Sequence, residues 1–492
     1  MATLHLHHRR IHPLCAMIDL AKLPTTTPLI LRNDPSLSRY AQDTMMQGFP
    51  DAVLRARDVQ EIREALKFCN ANKIPVTFCG SQTSMTGASV AQGGLLISTE
   101  RLEKVLDIGT VKGKAYAKTE PGITITELKK AAASQGWFYP PAPTSQDDAR
   151  IGATISTNAS GEDSFQYGST RKYIREIKVL LADGTEKVLS RPTGENFIDC
   201  PGRAGYFLET GNPLDFFIGG EGTLGFIYEI TVDLIHQPPG YFSALVPFPD
   251  VFNALDFVVA IIAEQKLKPR ALELIDHAAL SYMKTHTTFP KELAQAETLI
   301  YFKQEYKDEV EFEKMLTNWI AQIEKYSNAT LSQQTLVATT DKQKEEMRQW
   351  RHQIPSKINE EWRHFWAQGG GKVGSDWWVP ISKIKEMMHY TYQTGATLGV
   401  PFMAYAHIGR GHPHVNYLCK TAEEKHKAEK VLLQCCHKAV ELGGGVAGEH
   451  GIGKMHRNLV PIQWKQPHIN RLIQIKKEWD PNWILGQGNI LD

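Results

Sequence analysis

Apolar residues recur at helical spacing over residues 58–72 and then close up into the run Ile74-Pro-Val-Thr-Phe78, which predicts an amphipathic helix followed by a short buried strand. Residues 93–98 form a second apolar run. Thr119-Glu-Pro-Gly122 predicts a turn that opens a helix over 124–135. Strands, among them 177–182 and 224–234, dominate to about residue 237, where Gln237-Pro-Pro-Gly240 punctuates the chain. Beyond it the period lengthens. Helices are predicted over 251–265 and 308–325, with a strand at 298–304 between them. The last stretch reads as strands 400–407 and 414–418, a helix 421–442 and a tail closing on Gly486-Gln-Gly-Asn-Ile-Leu491. No internal repeat or low-complexity tract interrupts this pattern, and the mixture of helix and strand predicts an α/β or α+β protein.

At 492 residues the chain is long enough for two or three domains. Its 55 Lys and Arg against 54 Asp and Glu give a net charge of +1, which argues against nucleic acid or an anionic membrane surface and favours a small-molecule partner. Seven cysteines without regular spacing suit a reducing compartment better than a disulfide framework. No stretch approaches the ~20 apolar residues of a spanning helix, so the expected location is cytoplasmic, at most peripheral to a membrane. The first eighteen residues are basic and acid-poor, with Arg9 and Arg10, and read as an unstructured start, with a weak organellar presequence as the alternative that would place a eukaryotic version in the mitochondrion.

Two kinds of chemistry stand out. Pro75-Val-Thr-Phe-Cys-Gly80-Ser-Gln-Thr-Ser-Met-Thr-Gly87 follows a predicted strand with glycines and short hydroxyls, a composition that can cradle a pyrophosphate through backbone N–H groups. It is neither a P-loop nor a Gly-x-Gly-x-x-Gly fingerprint, and an ordinary turn has the same composition. Near the C-terminus, His407-Ile-Gly-Arg-Gly-His-Pro-His414 and Gly448-Glu-His-Gly-Ile-Gly453 offer imidazoles, a carboxylate and glycine backbone. These are the ingredients of a metal-assisted active site, or of a glycine-rich surface loop.

Taken in order, the 80–87 loop, the Glu120-Pro-Gly-Ile123 turn, the Pro141 to Gly161 stretch, Tyr167-Gly-Ser-Thr170, Ala182-Asp-Gly184 and Gly219-Gly-Glu-Gly-Thr-Leu-Gly225 resemble the FAD-binding domain of the vanillyl-alcohol oxidase (PCMH-type) flavoprotein superfamily. The resemblance is closest to its D-2-hydroxy acid dehydrogenase branch, which includes D-lactate, glycolate and D-2-hydroxyglutarate dehydrogenases. It implies an α+β fold: an N-terminal extension over 1–40, a PCMH-type FAD-binding domain over 41–237, an inserted α+β substrate or cap domain over 238–440, and a segment over 441–492 that returns to the flavin. FAD would lie on Gly80, Ser81, Gln82, Thr83, Ser84 and Gly87. Further contacts are implied for Pro143, Thr144, Gly152, Ala153, Ser156, Asn158 and Gly161, and for Glu221, Gly222 and Ile227. Members that bond FAD covalently commonly do so through a histidine in the first loop; Ser81 and Gln82 stand there, so the expected FAD is non-covalent. Cys79 reads as a filler rather than a redox thiol, since no local cause for a low pKa is visible.

The same resemblance implies His407, His414 and Glu449 as ligands of a divalent metal, zinc first with manganese or iron as alternatives, and His450 as the catalytic base. The family segment His-x-Gly-Asp-Gly-Asn-x-His carries Arg410 and His412 here in place of Asp and Asn. If 408–411 is a four-residue hairpin loop, His407 faces His412 and His414 shares that face. His412 is then a fourth ligand, a group behind the ligands, or a solvated turn residue, with the last two favoured. Arg410 reads either as positive charge beside the metal or as a solvent-facing turn residue. Arg351, in Met347-Arg-Gln-Trp-Arg351-His-Gln-Ile-Pro355, matches the arginine that binds the substrate carboxylate; Lys372 is displaced from the family lysine that precedes Asp376. Ser160-Gly-Glu-Asp-Ser164 is more acidic than the family segment near the ring.

The implied reaction is oxidation of a small D-2-hydroxy acid to the 2-oxo acid, with the metal orienting the substrate, His450 taking the hydroxyl proton and FAD accepting hydride. A quinone, a cytochrome or a flavoprotein carrier could re-oxidise the flavin, and a homodimer is compatible with the sequence. The alternatives are the same scaffold with another substrate class, of the alkyl-dihydroxyacetone-phosphate synthase or aromatic alcohol oxidase kind, and a non-catalytic oxidase subunit.

Overall fold

Asp58 starts the first long helix by accepting the Glu61 amide N–H, and Lys73, in the left-handed conformation, ends it. This helix, α1 (Val59–Asn72), buries Ile62, Ala65, Leu66 and Cys69 against β2 (Ala52–Arg55), β3 (Val76–Cys79) and β4 (Leu95–Ser98), beside which lies the short strand β1 (Ile30–Leu31). They form a four-stranded sheet in the order β1-β2-β4-β3, in which β2, β4 and β3 are parallel. The computed structural model describes residues 20–192, 202–264, 266–286 and 289–491. The basic start of the chain lies outside the described residues.

A second, antiparallel sheet has five strands. It contains β5 (Val105–Val111) and β6 (Lys114–Thr119), then, after the helices α2 (Ile125–Ala133) and α3 (Ile151–Ser156), β7 (Ile174–Leu180), β8 (Glu186–Ser190) and β9 (Phe226–Asp233), in the order β5-β6-β9-β7-β8. The loop leaving β3 packs on α3: a Cβ added at Gly80 would stand 3.2 Å from the Ala153 methyl. The C-terminal tail also returns here, where the Val76 N–H donates to the carbonyl of Ile484.

The third sheet is antiparallel throughout and has seven strands. Its elements in chain order are β10 (Tyr241–Phe248), α4 (Val251–Glu264), β11 (Ala271–Ile275), α5 (His277–His286), β12 (Thr298–Glu305), α6 (Glu309–Tyr326), β13 (Leu336–Ala338), α7 (Asp341–Arg363), β14 (Gly369–Gly374), α8 (Ile384–Ala396), β15 (Phe402–His407), β16 (His412–Thr421) and α9 (Ala422–Glu441). The strand order is β13-β10-β12-β11-β15-β16-β14. Period-two alternation divides its faces. Phe242, Ala244, Val246, Ala404, Ala406, Val415 and Tyr417 join the core that holds α4, α6, α8 and α9. Leu245, Ile275, Tyr301, Met403, Tyr405 and Leu418 pack instead under α5 and α7. This second face positions the site, because Tyr405 and His407 lie on it.

One helix contains an internal proline, and one strand starts earlier than the sequence reading placed it. Helix α7 runs unbroken past Pro355, opened by the Thr340 and Gln343 capping box and held on the sheet by Trp350, Ile354, Ile358 and Trp362. Strand β16 begins at His412, not 414, because His407 pairs directly with it. Among the described residues no helix is long and apolar enough to cross a membrane.

Candidate active site

A cavity of about 940 Å³ opens where the two N-terminal sheets meet the α7-bearing face of the third. Gly80, Ser81, Gln82, Thr83 and Ser84 form part of its wall, with Pro143, Thr144, Gly152, Ala153, Ser156, Glu221, Gly222 and Ile227. Among the described residues none accepts a hydrogen bond from the amide N–H of Gln82, Thr83 or Ser84. Gln82 has a positive φ of 53°, and its side chain is held back by the carbonyls of Tyr40 and Ser89. The loop thus lines the cavity with residues whose N–H groups are unpaired within the described chain, which suits a diphosphate. Cys79 is buried, and burial pushes its thiol up to about 12, which holds it in the unreactive thiol form.

Three residues nominated for this wall do not line it. Gly87 donates its N–H to Asp43 and is packed against Met46. Asn158, left-handed at φ 48°, uses its side-chain oxygen to accept the Arg171 N–H. Gly161 lies against the backbone of Ala142 and Pro143, where a Cβ would clash. All three shape the wall from behind. Glu221 reaches the cavity, but its carboxylate accepts the N–H groups of Ile452 and Gly453, both at 2.7 Å, and burial pushes its pKa up to about 7.

Opposite the loop, the hairpin β15–β16 has the register read from the sequence. His407 pairs with His412 across the 408–411 turn, and Tyr405 pairs with His414. His407 Nε2 stands 3.2 Å and His414 Nε2 3.4 Å from one oxygen of Glu449. Ligand atoms of these three residues lie within 4.8 Å of one another. From the adjacent strand β11, Glu273 accepts the Nδ1–H of His407 at 2.7 Å, which leaves Nε2 directed at Glu449. A donor set of two imidazoles and a carboxylate, with a carboxylate orienting one ring from behind, fits a divalent ion. Burial lowers the His407 pKa, but Glu273 and Glu449 outweigh it and push it up to about 10. Burial and the neighbouring His412 and His407 take His414 down to about 4. Burial also lowers His450, against the pull of Asp376 and Glu449, so its free base prevails at neutral pH.

The structure resolves the variable residues of the turn. His412 is 3% exposed and its Nε2–H donates to Asp376 at 2.9 Å, so it is not a solvated turn residue. Arg410 donates to the carbonyl of Ser164 and is directed away from the cavity. The acidic Glu162 and Asp163 do not line the cavity beside the 80–84 loop. They pair with Lys303 and Arg270 of the third sheet, Asp163 at 3.0 and 2.6 Å, because buried carboxylates need buried cations.

Arg351 reaches the cavity from α7, but its Nη2 is paired with Glu273 at 2.7 Å. Lys372 has no such counter-ion: it is 6% exposed, lines the cavity, and no carboxylate among the described residues pairs with it. Burial pushes it down to about 8. Sequence reasoning gave no role to two residues of the site. Asp376 accepts from the amides of Gly448, Glu449 and His450 as well as from His412. Glu273 joins Arg351 to His407. Glu273 sits in no recognisable motif, and Asp376 marks a family segment without its partners being visible there; only the pairing of distant segments reveals what each holds.

Residues 50–190 match the model of the FAD binding domain, and residues 239–490 match that of FAD linked oxidases, C-terminal domain. The chain belongs to the FAD-linked oxidases. It is 29% identical over 455 residues to a D-lactate dehydrogenase of Anaerostipes hadrus, covering 90% of this chain and 89% of that protein. It is 26% identical over 456 residues to the glycolate oxidase subunit GlcD of Bacillus subtilis, covering 92% and 91%. The solved 4-ethylphenol oxidase from Gulosibacter chungangensis superposes with a TM-score of 0.67 at 16% identity, over 94% of each chain, and shares the fold.

Proposed function

We propose that this FAD-linked oxidase is a metal-assisted dehydrogenase that oxidises a D-2-hydroxy acid to the 2-oxo acid. The observation that carries the reading is the meeting, in one cavity, of the amide-lined 80–84 loop with His407, His414, Glu449, His450 and an unpaired Lys372. The names of the relatives, D-lactate dehydrogenase and glycolate oxidase, support a 2-hydroxy acid as substrate.

In this reading the loop holds the FAD diphosphate without a covalent bond, and His407, His414 and Glu449 hold one divalent ion, zinc before manganese or iron. FAD supplies a two-electron acceptor and the ion a Lewis acid for the substrate oxygens. The protein's own groups do the rest. Lys372, a buried cation without a partner, binds the substrate carboxylate by a charge-assisted hydrogen bond. Arg351, fixed by Glu273, adds positive field beside it. His450, neutral at pH 7, takes the hydroxyl proton on its ring nitrogen as hydride leaves the same carbon, so proton and electron pair depart together from the CH–OH group.

Purified protein should be yellow and release its FAD on acid precipitation. Under anaerobic conditions D-2-hydroxy acids should bleach the flavin, whereas their L-enantiomers should not. A chain that cannot be loaded with FAD, or whose flavin no 2-hydroxy acid reduces, would refute the proposal.

A further inference from the structure

We propose that Asp376 is the positioning residue of this site: its one carboxylate fixes the segment bearing Glu449 and His450 against the hairpin bearing His407 and His414. Residues 447–453 form neither helix nor strand, so no regular hydrogen-bond ladder sets where Glu449 and His450 stand. Asp376 supplies what the ladder would. Its oxygens accept three successive amide N–H groups, from Gly448 at 3.1 Å, Glu449 at 3.2 Å and His450 at 3.0 Å. Such a run of converging N–H groups forms a nest around an anion.

The clamp is anchored on both sides. The N–H of the preceding Ser375 donates to the carbonyl of Val415, which fixes the carboxylate relative to β16. The N–H of Gly448 also donates to the main-chain carbonyl of Asp376 at 2.6 Å, and Trp378 and Gly445 exchange two backbone bonds further along. The fourth donor to the carboxylate is His412, whose ring covers Gly448 so closely that an added Cβ would stand 2.7 Å from its Cδ2. His412 is therefore the part of the clamp that belongs to the hairpin: with Nε2 bound to Asp376, it ties the strand of His414 to the amides of Glu449 and His450. A residue that only filled space would not bring four donors to one carboxylate that is 5% exposed.

The inference rests on the metal-assisted reading, and its test separates the two. Full-length, FAD-loaded wild-type protein is compared with Asp376→Asn and His412→Ala. The readouts are Zn²⁺ affinity by competition with a chromogenic chelator, FAD content, and amide hydrogen exchange over residues 446–451. Asp376→Asn should weaken Zn²⁺ binding by roughly 10- to 100-fold, the range seen for groups that orient metal ligands. Exchange at Gly448, Glu449 and His450 should accelerate at least about tenfold, while FAD content and exchange over 80–87 stay unchanged. His412→Ala should move the same two readouts in the same direction by less. Zn²⁺ affinity and exchange within twofold of wild type in both variants would overturn the inference. If Asp376→Asn does not fold, His412→Ala alone decides. If the wild-type chain takes up no divalent ion, the metal reading fails, and the exchange rates alone then decide whether Asp376 is the clamp.

Discussion

Lys372 and His407 are two buried groups whose charge the site must compensate, and they predict opposite pH behaviour. Burial holds Lys372 down to about 8, so its ammonium is present below that pH and is lost as pH rises through it. Substrate affinity should fall accordingly: KM for the hydroxy acid should rise above about pH 8 with little change in kcat. Lys372→Met should raise KM by at least about tenfold, the loss of a hydrogen bond to a charged group, and abolish that pH dependence in steady-state assays. His407 is pushed up to about 10 by Glu273 and Glu449, against burial, so without a metal it carries a proton at neutrality, whereas His414, held near 4, does not. Metal uptake at pH 7 should release about one proton, seen by calorimetry in buffers of differing ionisation enthalpy, and metal affinity should rise with pH up to about 10. Uptake without proton release would show that His407 is not a ligand. Replacing His450 by Asn should leave FAD bound and slow flavin reduction by roughly 10²- to 10⁴-fold in stopped flow.

The hairpin β15–β16 is the element on which the site depends, and it was largely legible in the sequence. Alternation at period two and a four-residue turn suffice to set His407, His412 and His414 on one face. What the sequence withheld was the partner across the sheet. Glu273 reaches His407 from β11, and Asp376 reaches His412 from beyond β14, through pairings between segments more than a hundred and more than thirty residues apart. Helix α7 accommodates Pro355 in its interior because its packing on the sheet outweighs the lost hydrogen bond. The turn itself offers a test. Gly411 has a φ of 65°, and a Cβ there would stand 2.0 Å from the carbonyl oxygen of Val379. Gly411→Ala should therefore destabilise the protein by at least about 2 kcal/mol in denaturant titrations and weaken metal binding with it. Stability unchanged by that substitution would contradict the register.

Across the whole molecule, the order of glycine-rich segments announced a flavin fold, and the match of the FAD-linked oxidase model to residues 239–490 agrees with it. The sequence misled where charge was read locally. Glu162 and Asp163 looked like an altered flavin environment, yet they face Lys303 and Arg270 of the third sheet, and Arg410 crosses the same junction to Ser164. Sequence order cannot reveal such pairing, since each cation lies more than a hundred residues from its carboxylate. Lys303→Met would take from buried Glu162 its lysine partner and leave Asp163 with Arg270 alone, and should cost roughly 3–5 kcal/mol, detectable as a lower denaturant midpoint with FAD still bound. The central claim is that flavin and metal serve one substrate in one cavity. Its most direct measurement is the rate of anaerobic flavin reduction by a D-2-hydroxy acid in a single turnover, as Zn²⁺ is returned to chelator-stripped, FAD-loaded protein. The rate should be negligible after stripping and climb to a plateau at one ion per chain; full reduction in the stripped protein, unaffected by added Zn²⁺, would contradict the account.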